Sequence, residues 1–360
     1  VEGVRTDIRT VNLSYLGGDW YIDQMKKQAY EGRPLPIGLL PTSYYYYNLY
    51  AYLAPQAKGS QTIPQLLGSL AGAPRYSPAR LDVSSLTLPV DSATAARRFA
   101  SEYPDLVQHI TPQMELSLAG KGYLDIGNLT IFDLLEGNKW ERPIYWAVTS
   151  PRNAFAGMDQ HMVQTGLTYQ LLPLRAMADS TGRALSYGIG NLDRMYETVM
   201  TKFRWGGADK PGTYFDENAR GIISTLRNQV FTPLAEGYLD RGDKARAVEI
   251  LRKCLSVILE ENVPYEVTSV YFARTLYRAG LTKEADHVLQ VVARKSLGLL
   301  TWMTRLSPEQ LDQVSRHGEL QEAYMGISYS LDIAKEFGST ALKSYEAQIE
   351  QLVRALGGGQ

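Results

Sequence analysis

The stretch "LAEGYLDRGDKARAVEILRKCL" (residues 234–255) has the same form as "YFARTLYRAGLTKEADHVLQVV" (residues 271–292), and this repeat decides the fold class of the second half of the chain. The matched positions are Leu234 with Phe272, Ala235 with Ala273, Tyr238 with Leu276, Gly242 with Gly280, Ala247 with Ala285 and Leu251 with Leu289. A first helix, a glycine turn and a second helix with a small contact residue form the tetratricopeptide pattern. The repeat therefore predicts paired helices.

Helical periodicity also surrounds the repeat on both sides. The flanking stretches are "ENARGIISTLRNQVF" (217–231), "ELQEAYMGISYSLDIAKEF" (319–337) and "ALKSYEAQIEQLVRAL" (341–356). Because one helix pair cannot bury its apolar face alone, these segments are expected to cap the array. We predict an all-α, tetratricopeptide-like helical repeat domain over residues 191–356.

The first half of the chain alternates short strand and helix patterns. Residues 1–175 are predicted to form an α/β domain with a mixed or parallel sheet flanked by helices, followed by a linker over residues 176–190. Val4 to Tyr15 reads as a strand that leads into a short helix with Asp19 as its N-cap. A strand followed by a helix is half of a βαβ unit, so this start is expected to be an interior segment of a longer protein.

Further elements of the α/β domain follow from local patterns. Helices are predicted from Ile63 to Leu70, from Asp91 or Ser92 onward, and over "GNLTIFDLLEGN" (127–138), where Gly137 and Asn138 end the helix. Strands are predicted over "SSLTLPV" (84–90), "QMELSLA" (113–119) and "RPIYWAVTS" (142–150). The last is nearly all apolar, which predicts burial on both faces of a sheet.

Composition excludes several function classes. The 37 Lys and Arg residues balance 38 Asp and Glu residues, so no excess charge favours nucleic acid as a partner. No apolar run approaches the roughly 18 to 20 residues of a membrane span. One cysteine, Cys254, cannot form an internal disulfide, and its position in a predicted second helix indicates core packing.

Catalytic, metal and cofactor signatures are not found in the sequence. The four histidines, His109, His161, His287 and His317, are scattered without the close spacing of metal ligands. Neither a phosphate-binding glycine loop nor a nucleophile motif is present. We therefore predict no catalytic residue, no metal ligand and no cofactor.

Two aromatic segments predict binding of sugars or peptides. "DWYIDQ" places Asp19, Trp20 and Asp23 at a helix start, and six tyrosines fall between Tyr44 and Tyr52. Tyrosine offers an apolar ring and a hydroxyl group, which suit both ligand classes. Helix capping by Asp19 and packing of the tyrosines are the alternative interpretations. The predicted substrate-binding residues are Asp19, Trp20, Asp23, Tyr45, Tyr47 and Tyr238.

Five segments together carry a family resemblance. They are residues 1–30, "LLEGNKWERPIYWAVTS" (134–150), "GLTYQLLPL" (166–174), the segment from Lys202 to Arg220, and the segment from Val248 to Tyr265. In this order they resemble the extracytoplasmic C-terminal region of a Bacteroidetes-type multi-pass membrane protein family of unknown function. That family is similar to protein O-mannosyltransferases with tetratricopeptide tails.

The resemblance implies the position of this chain in a larger molecule. Transmembrane helices would precede Val1 and would carry the catalytic acidic residues, so the fragment itself would not be catalytic. The implied donor is a lipid-linked sugar, and the implied acceptor is a Ser or Thr of a secreted or envelope protein. The implied location is the periplasm, at the outer face of the inner membrane.

Three functions follow as hypotheses. In the first hypothesis, the fragment is an accessory domain of a membrane-embedded protein O-glycosyltransferase and binds the acceptor protein. The alternative is a protein–protein interaction scaffold of the cell envelope without a role in glycosyl transfer. A third hypothesis gives the α/β domain its own activity on sugar or nucleotide.

Overall fold

The computed structural model divides the chain into two compact units, Val1–Asn191 and Leu192–Gln360. The structure describes residues 5–39, 51–71, 79–175, 177–178, 184–185 and 188–357. The first unit combines helices with small sheets, whereas the second is helical. The coarse fold class, α/β followed by all-α, is thus confirmed.

In the described residues of the first unit, short strands alternate with four α-helices. Its helices are α1 (Asp19–Met25), α2 (Ile63–Ala71), α3 (Ser92–Phe99) and α4 (Ile126–Asn138). Its strands are β1 (Ala51–Leu53), β2 (Ser60–Thr62), β3 (Ala79–Leu81), β4 (Ser85–Pro89), β5 (Gln113–Ser117), β6 (Tyr123–Leu124), β7 (Tyr145–Ala147), β8 (Met162–Thr165), β9 (Thr168–Leu171), β10 (Met177–Ala178) and β11 (Ala184–Leu185). Helices α2, α3 and α4 and strands β4 and β5 lie where the sequence patterns predicted them.

The sheets are mixed rather than parallel. One has the order β3-β1-β6 and another β2-β4-β5, and in each the central strand pairs parallel on one side and antiparallel on the other. The third, β7-β9-β8, is antiparallel, and β10 pairs with β11. In the β4–β5 register Leu86 faces Leu116 and Leu88 faces Met114, and all four side chains are buried in the core of the unit.

The strand predicted over residues 142–150 is shorter and less buried than expected. Only Tyr145–Ala147 form β7, in which Trp146 is buried while Tyr145 and Ala147 are exposed. The prediction of burial on both faces was wrong for β7, because this strand lies at the edge of an antiparallel sheet and only its central residue is buried.

The start of the described chain also differs from the prediction. Residues 5–12 belong to no strand, and Leu13–Tyr15 form a 3₁₀ turn that Asn12 caps with its side chain. Ile8 is 53% exposed, whereas Val11 and Leu13 are half-buried against the core of the unit without forming a strand. The predicted N-cap was wrong as well: Gly18 caps α1, and Asp19 lies in its first turn. The expected half of a βαβ unit is therefore not formed.

A buried carboxylate fixes the segment that precedes residue 40. Asp133 of α4 is buried, and its Oδ2 accepts a hydrogen bond of 2.8 Å from the backbone N–H of Leu39. Burial raises the pKa of Asp133 above its ordinary value, although the backbone N–H groups of Leu39 and Gly38 oppose this shift. Asp133 thus links α4 to a segment far from it in sequence.

Two substitutions at Asp133 test this link. Asp133→Ala leaves the Leu39 N–H without its acceptor and is expected to lower the free energy of unfolding by about 1–3 kcal/mol. Asp133→Asn keeps an acceptor and removes the buried charge, so at pH 7 it is expected to match or exceed the wild-type stability. Urea unfolding at neutral pH measures both; equal losses for the two variants would contradict the assignment.

The comparison of Asp133→Asn with the wild type also predicts how the stability of the protein changes with pH. Because the native pKa of Asp133 is raised, the folded state holds the proton more tightly than the unfolded chain does. Its contribution to stability is complete below the unfolded pKa and is lost as the pH rises through the native pKa. The stability of Asp133→Asn relative to wild type should therefore increase from low pH toward neutral pH. A constant difference would contradict this prediction.

The described part of the second unit is built from helices, with longer irregular segments over residues 203–216 and 258–268. The helices are α5 (Leu192–Glu197), α6 (Glu217–Leu226), α7 (Thr232–Asp240), α8 (Lys244–Val257), α9 (Ser269–Ala279), α10 (Thr282–Met303), α11 (Pro308–Ser315), α12 (Glu319–Glu336) and α13 (Glu346–Gly357). Residues Thr198–Lys202 and Arg227–Phe231 are π-helical. No helix in the described ranges is long and apolar enough to span a bilayer.

Each of the two matched sequence stretches forms two helices joined at a glycine. Gly242 lies between α7 and α8, and Gly280 between α9 and α10, and both have positive φ angles of 79° and 83°. Glycine adopts this left-handed conformation at little cost, which explains its place in both turns. Ala247 and Ala285 are fully buried on the second helices. The pairing of helices predicted from the repeat is therefore present.

Candidate binding surface

An aromatic surface surrounds the start of α1 in the first unit. We call it the Trp20 surface and define it by Tyr15, Asp19, Trp20 and Asp23. The Trp20 side chain is 55% exposed and the Tyr15 side chain 52% exposed. Their ring centroids lie 5.9 Å apart. Two large neighbouring rings therefore face solvent, whereas exposed aromatic residues usually occur singly.

A buried tyrosine supports the two exposed rings. The ring of Tyr21 lies 5.6 Å from that of Tyr15 and 5.5 Å from that of Trp20, in edge-on geometry. The hydroxyl of Tyr21 accepts a hydrogen bond of 2.7 Å from the backbone N–H of Asn12. These contacts limit the motion of the exposed rings. When a ligand stacks on them, the rings therefore lose less conformational entropy.

Two carboxylates lie beside the rings. Asp19 accepts a hydrogen bond of 2.6 Å from the backbone N–H of Trp20, and Asp23 follows one helical turn later. The Nζ of Lys26 is 4.0 Å from Oδ1 of Asp23, at the limit of an ion pair. Both carboxylates are partly exposed, so they can accept hydrogen bonds from hydroxyl or amide groups of a ligand stacked on the rings.

The other predicted binding residues do not join this surface. Tyr45 and Tyr47 lie outside the described residues. Tyr238 lies in the second unit, where it is 1% exposed and its hydroxyl donates a 2.7 Å hydrogen bond to Asp193. Burial and this bond raise the pKa of Tyr238 to about 12. Because its ring is enclosed and its hydroxyl is occupied, Tyr238 acts as a packing residue here.

Asp193 collects several contacts in the second unit. Besides the Tyr238 hydroxyl, it pairs with Arg246 at 3.2 Å and Arg241 at 3.5 Å. The hydrogen bond from Tyr238 is the main cause of its lowered pKa, and the two arginines add to it. This network holds α5 against α7 and α8, although the Asp193 side chain itself stays exposed.

Cys254 and His161 are both buried inside the protein. Cys254 is fully buried, and burial raises the pKa of its thiol to about 12, which makes it a packing residue. His161 is buried with its ring nitrogens against the carbonyl oxygens of Leu174 and Glu115. Within the described part of the chain, no three His, Cys, Asp or Glu side chains are grouped as metal ligands.

A second aromatic pair, of which one ring is exposed, lies on the helical unit. Tyr271 of α9 is 53% exposed, and its ring centroid is 6.2 Å from that of Tyr329 on α12. Arg274 and Glu336 join the same two helices through an ion pair of 2.9 Å. The sequence analysis did not single out Tyr15, Tyr271 or Tyr329, because nothing local distinguishes an exposed tyrosine from a packed one.

Comparisons with known proteins relate the first half of the chain to one family. The model of the family described as TMEM260-associated domain 2 matches residues 1–188, just over half of the 360 residues. Searches among curated proteins and among solved structures found no match. The matched range contains the whole Trp20 surface.

Proposed function

We propose that this chain, which belongs to the TMEM260-associated domain 2 family, is the extracytoplasmic accessory domain of a membrane-embedded protein O-glycosyltransferase and binds the acceptor polypeptide. The family membership supports an accessory domain of a membrane protein family. The resemblance of five sequence segments to the tails of O-mannosyltransferase-like proteins supports the transfer reaction. Catalysis then belongs to the membrane part, which draws on a lipid-linked sugar, and the periplasm is the proposed location.

The observation that carries acceptor binding is the Trp20 surface. An acceptor chain presents apolar side chains for stacking, together with backbone amide and Ser or Thr hydroxyl donors. The rings of Trp20 and Tyr15 can stack on the apolar side chains of the acceptor. The carboxylates of Asp19 and Asp23 can accept hydrogen bonds from its amide and hydroxyl groups. Binding here would raise the local concentration of acceptor near the membrane site.

The helical unit is proposed to be tetratricopeptide-like and to add a second contact for the acceptor. Its support is the recurrence of two helix pairs with glycine turns, together with the packing of α9 on α7 and of α12 on α9. Arrays of this kind present extended surfaces for peptides. The exposed Tyr271 and the half-buried Tyr329 lie on two of these neighbouring helices.

Trp20→Ala in the full-length protein tests the proposal. Removal of a central exposed indole from a peptide-binding surface typically costs about 2 kcal/mol or more, which corresponds to a loss of more than tenfold in affinity. We expect sugar occupancy on secreted acceptor proteins to fall accordingly, measured by intact-mass spectrometry of the cell envelope. Tyr214→Ala is the matched control, because Tyr214 is 84% exposed in the other unit. Unchanged occupancy in Trp20→Ala would contradict acceptor binding.

Crosslinking distinguishes acceptor binding from the envelope scaffold. A photoreactive amino acid at position 20 should capture proteins whose Ser or Thr residues lose sugar in the Trp20→Ala strain. Capture of one stoichiometric partner that carries no sugar would instead support the scaffold.

A further inference from the structure

A cleft in the first unit brings arginines from two distant segments together. It has a volume of about 260 Å³ and lies between the segment after α1 and the end of α4. Its lining residues are Arg33, Pro34, Pro36, Gly137, Asn138, Glu141 and Arg142. We call it the arginine cleft. An Arg-Pro dipeptide, Arg33-Pro34 or Arg142-Pro143, marks each of its two sides.

Backbone contacts hold the arginine cleft in shape. Nη1 of Arg142 donates to the carbonyl oxygen of Pro34 at 2.9 Å and to that of Arg33 at 3.4 Å. The side-chain amide of Asn138 donates to the carbonyl oxygen of Arg142 at 2.7 Å. The cleft is therefore formed before any ligand arrives, which lowers the cost of binding.

The positive charge in the arginine cleft is not neutralised by the protein. Burial lowers the pKa of the Arg142 guanidinium, and the nearby charges of Arg33 and Arg9 lower it further. In the described ranges no carboxylate lies within ion-pair distance of these three arginines. Nε of Arg9 is also buried without a hydrogen-bond partner among the described residues. Like charges held together in this way favour an anionic ligand.

The charge balance selects the class of anion. The cleft lining holds two arginines, Arg33 and Arg142, against one glutamate, Glu141, and the nearby charge of Arg9 adds to this positive excess. A phosphate monoester carries close to two negative charges at neutral pH and three acceptor oxygens, whereas a carboxylate carries one charge. Guanidinium groups bind phosphate through parallel N–H donors. We propose that the arginine cleft binds a phosphate group.

Calorimetry with inorganic pyrophosphate and with succinate, at constant ionic strength, tests this proposal on the purified chain. We expect pyrophosphate to bind and succinate to bind at least about tenfold more weakly, since pyrophosphate offers more acceptor oxygens to the guanidinium groups and the loss of one charge-assisted hydrogen bond is of this order. Equal binding of both anions would contradict the phosphate assignment.

Substitutions that change the charge of the arginine cleft test whether pyrophosphate binds there. Arg33→Gln should weaken pyrophosphate binding about tenfold, and Glu141→Gln should strengthen it, because it removes the one negative charge in the cleft. Arg98→Gln on α3, an exposed arginine that does not line the cleft, is the matched control. Arg33 is preferred to Arg142 because the Arg142 side chain also holds the cleft together. If Arg33→Gln binds pyrophosphate as tightly as Arg98→Gln does, the proposal is overturned.

Vesicles distinguish a free phosphate from a lipid phosphate. Phosphatidylcholine vesicles that contain phosphatidic acid present a phosphate monoester at a membrane surface, and vesicles of phosphatidylcholine alone are the control. Binding to phosphatidic acid alone, sensitive to Arg33→Gln, would identify a membrane headgroup as the source, and binding to pyrophosphate alone would identify a soluble ligand. Binding to neither would overturn the proposal. This result is independent of sugar transfer to acceptors, so the two proposals can fail separately.

Discussion

Gly137→Ala is expected to lower the free energy of unfolding by about 3 kcal/mol, because the added methyl group has no space. A Cβ atom at this position would lie 2.1 Å from the carbonyl oxygen of Pro36. That oxygen belongs to backbone and cannot rotate away as a side chain would. Relief requires the segment around Pro36 to move off α4, which would also weaken the hydrogen bond between Asp133 and Leu39 and distort the arginine cleft.

Gly68→Ala provides the control for this prediction. Gly68 lies inside α2 with open space around its Cα, so an alanine meets nothing within 4 Å. Alanine is favoured over glycine inside a helix by about 0.5–1 kcal/mol, and the variant should be slightly more stable than wild type. Urea unfolding followed by circular dichroism measures both substitutions. If Gly137→Ala is as stable as Gly68→Ala, the close approach of Pro36 to α4 does not exist in solution.

Gly137 also shows what a local pattern can and cannot predict. The sequence predicted that Gly137 and Asn138 end the helix, and the helix does end at Asn138, with Lys139 in the left-handed conformation. The reason was different, however. Gly137 is required by contact with a segment that is distant in sequence, and no local pattern contains that information.

Elements that depend on interactions between residues close in sequence were predicted well. Asp91 accepts hydrogen bonds from the backbone N–H groups of Ala93 and Thr94, which is the capping that the sequence indicated for α3. The glycine turns at Gly242 and Gly280 follow from conformational preference alone. In contrast, the predicted strand from Val4 to Tyr15 failed, because alternation indicates a period but not a partner strand.

The candidate sites divide in the same way. Trp20 and the two aspartates could be proposed as binding residues from the sequence because they lie within five residues at the start of one helix, and their role in binding stays a prediction. The arginine cleft was missed because Arg33 and Arg142 become neighbours only after α4 packs on the preceding segment. The repeated Arg-Pro dipeptide was the available signal, since proline restricts the backbone of the residue before it and favours an extended segment.

Arg227 has an unusual position in the helical unit. It lies in the π-helical turn Arg227–Phe231, and its side chain is only 1% exposed. Nη2 donates a 2.8 Å hydrogen bond to the carbonyl oxygen of Val263, and the guanidinium lies 4.5 Å from the ring centroid of Tyr265. Nη1 has no hydrogen-bond partner among the described residues. Among the described residues, this buried cation is thus held by one carbonyl oxygen and one aromatic face, without a carboxylate.

Two substitutions separate the volume of Arg227 from its charge. Arg227→Ala removes the side-chain stem and leaves a cavity, so it is expected to lower the free energy of unfolding by about 3 kcal/mol. Arg227→Met keeps most of the stem and removes a cation whose burial costs several kcal/mol, and this gain offsets the loss of the bond to Val263 and the contact with Tyr265. We therefore expect Arg227→Met to be within about 1 kcal/mol of wild type in urea unfolding. If Arg227→Met is as destabilised as Arg227→Ala, the charge itself stabilises the unit, and the contacts of the guanidinium with Val263 and Tyr265 outweigh its desolvation.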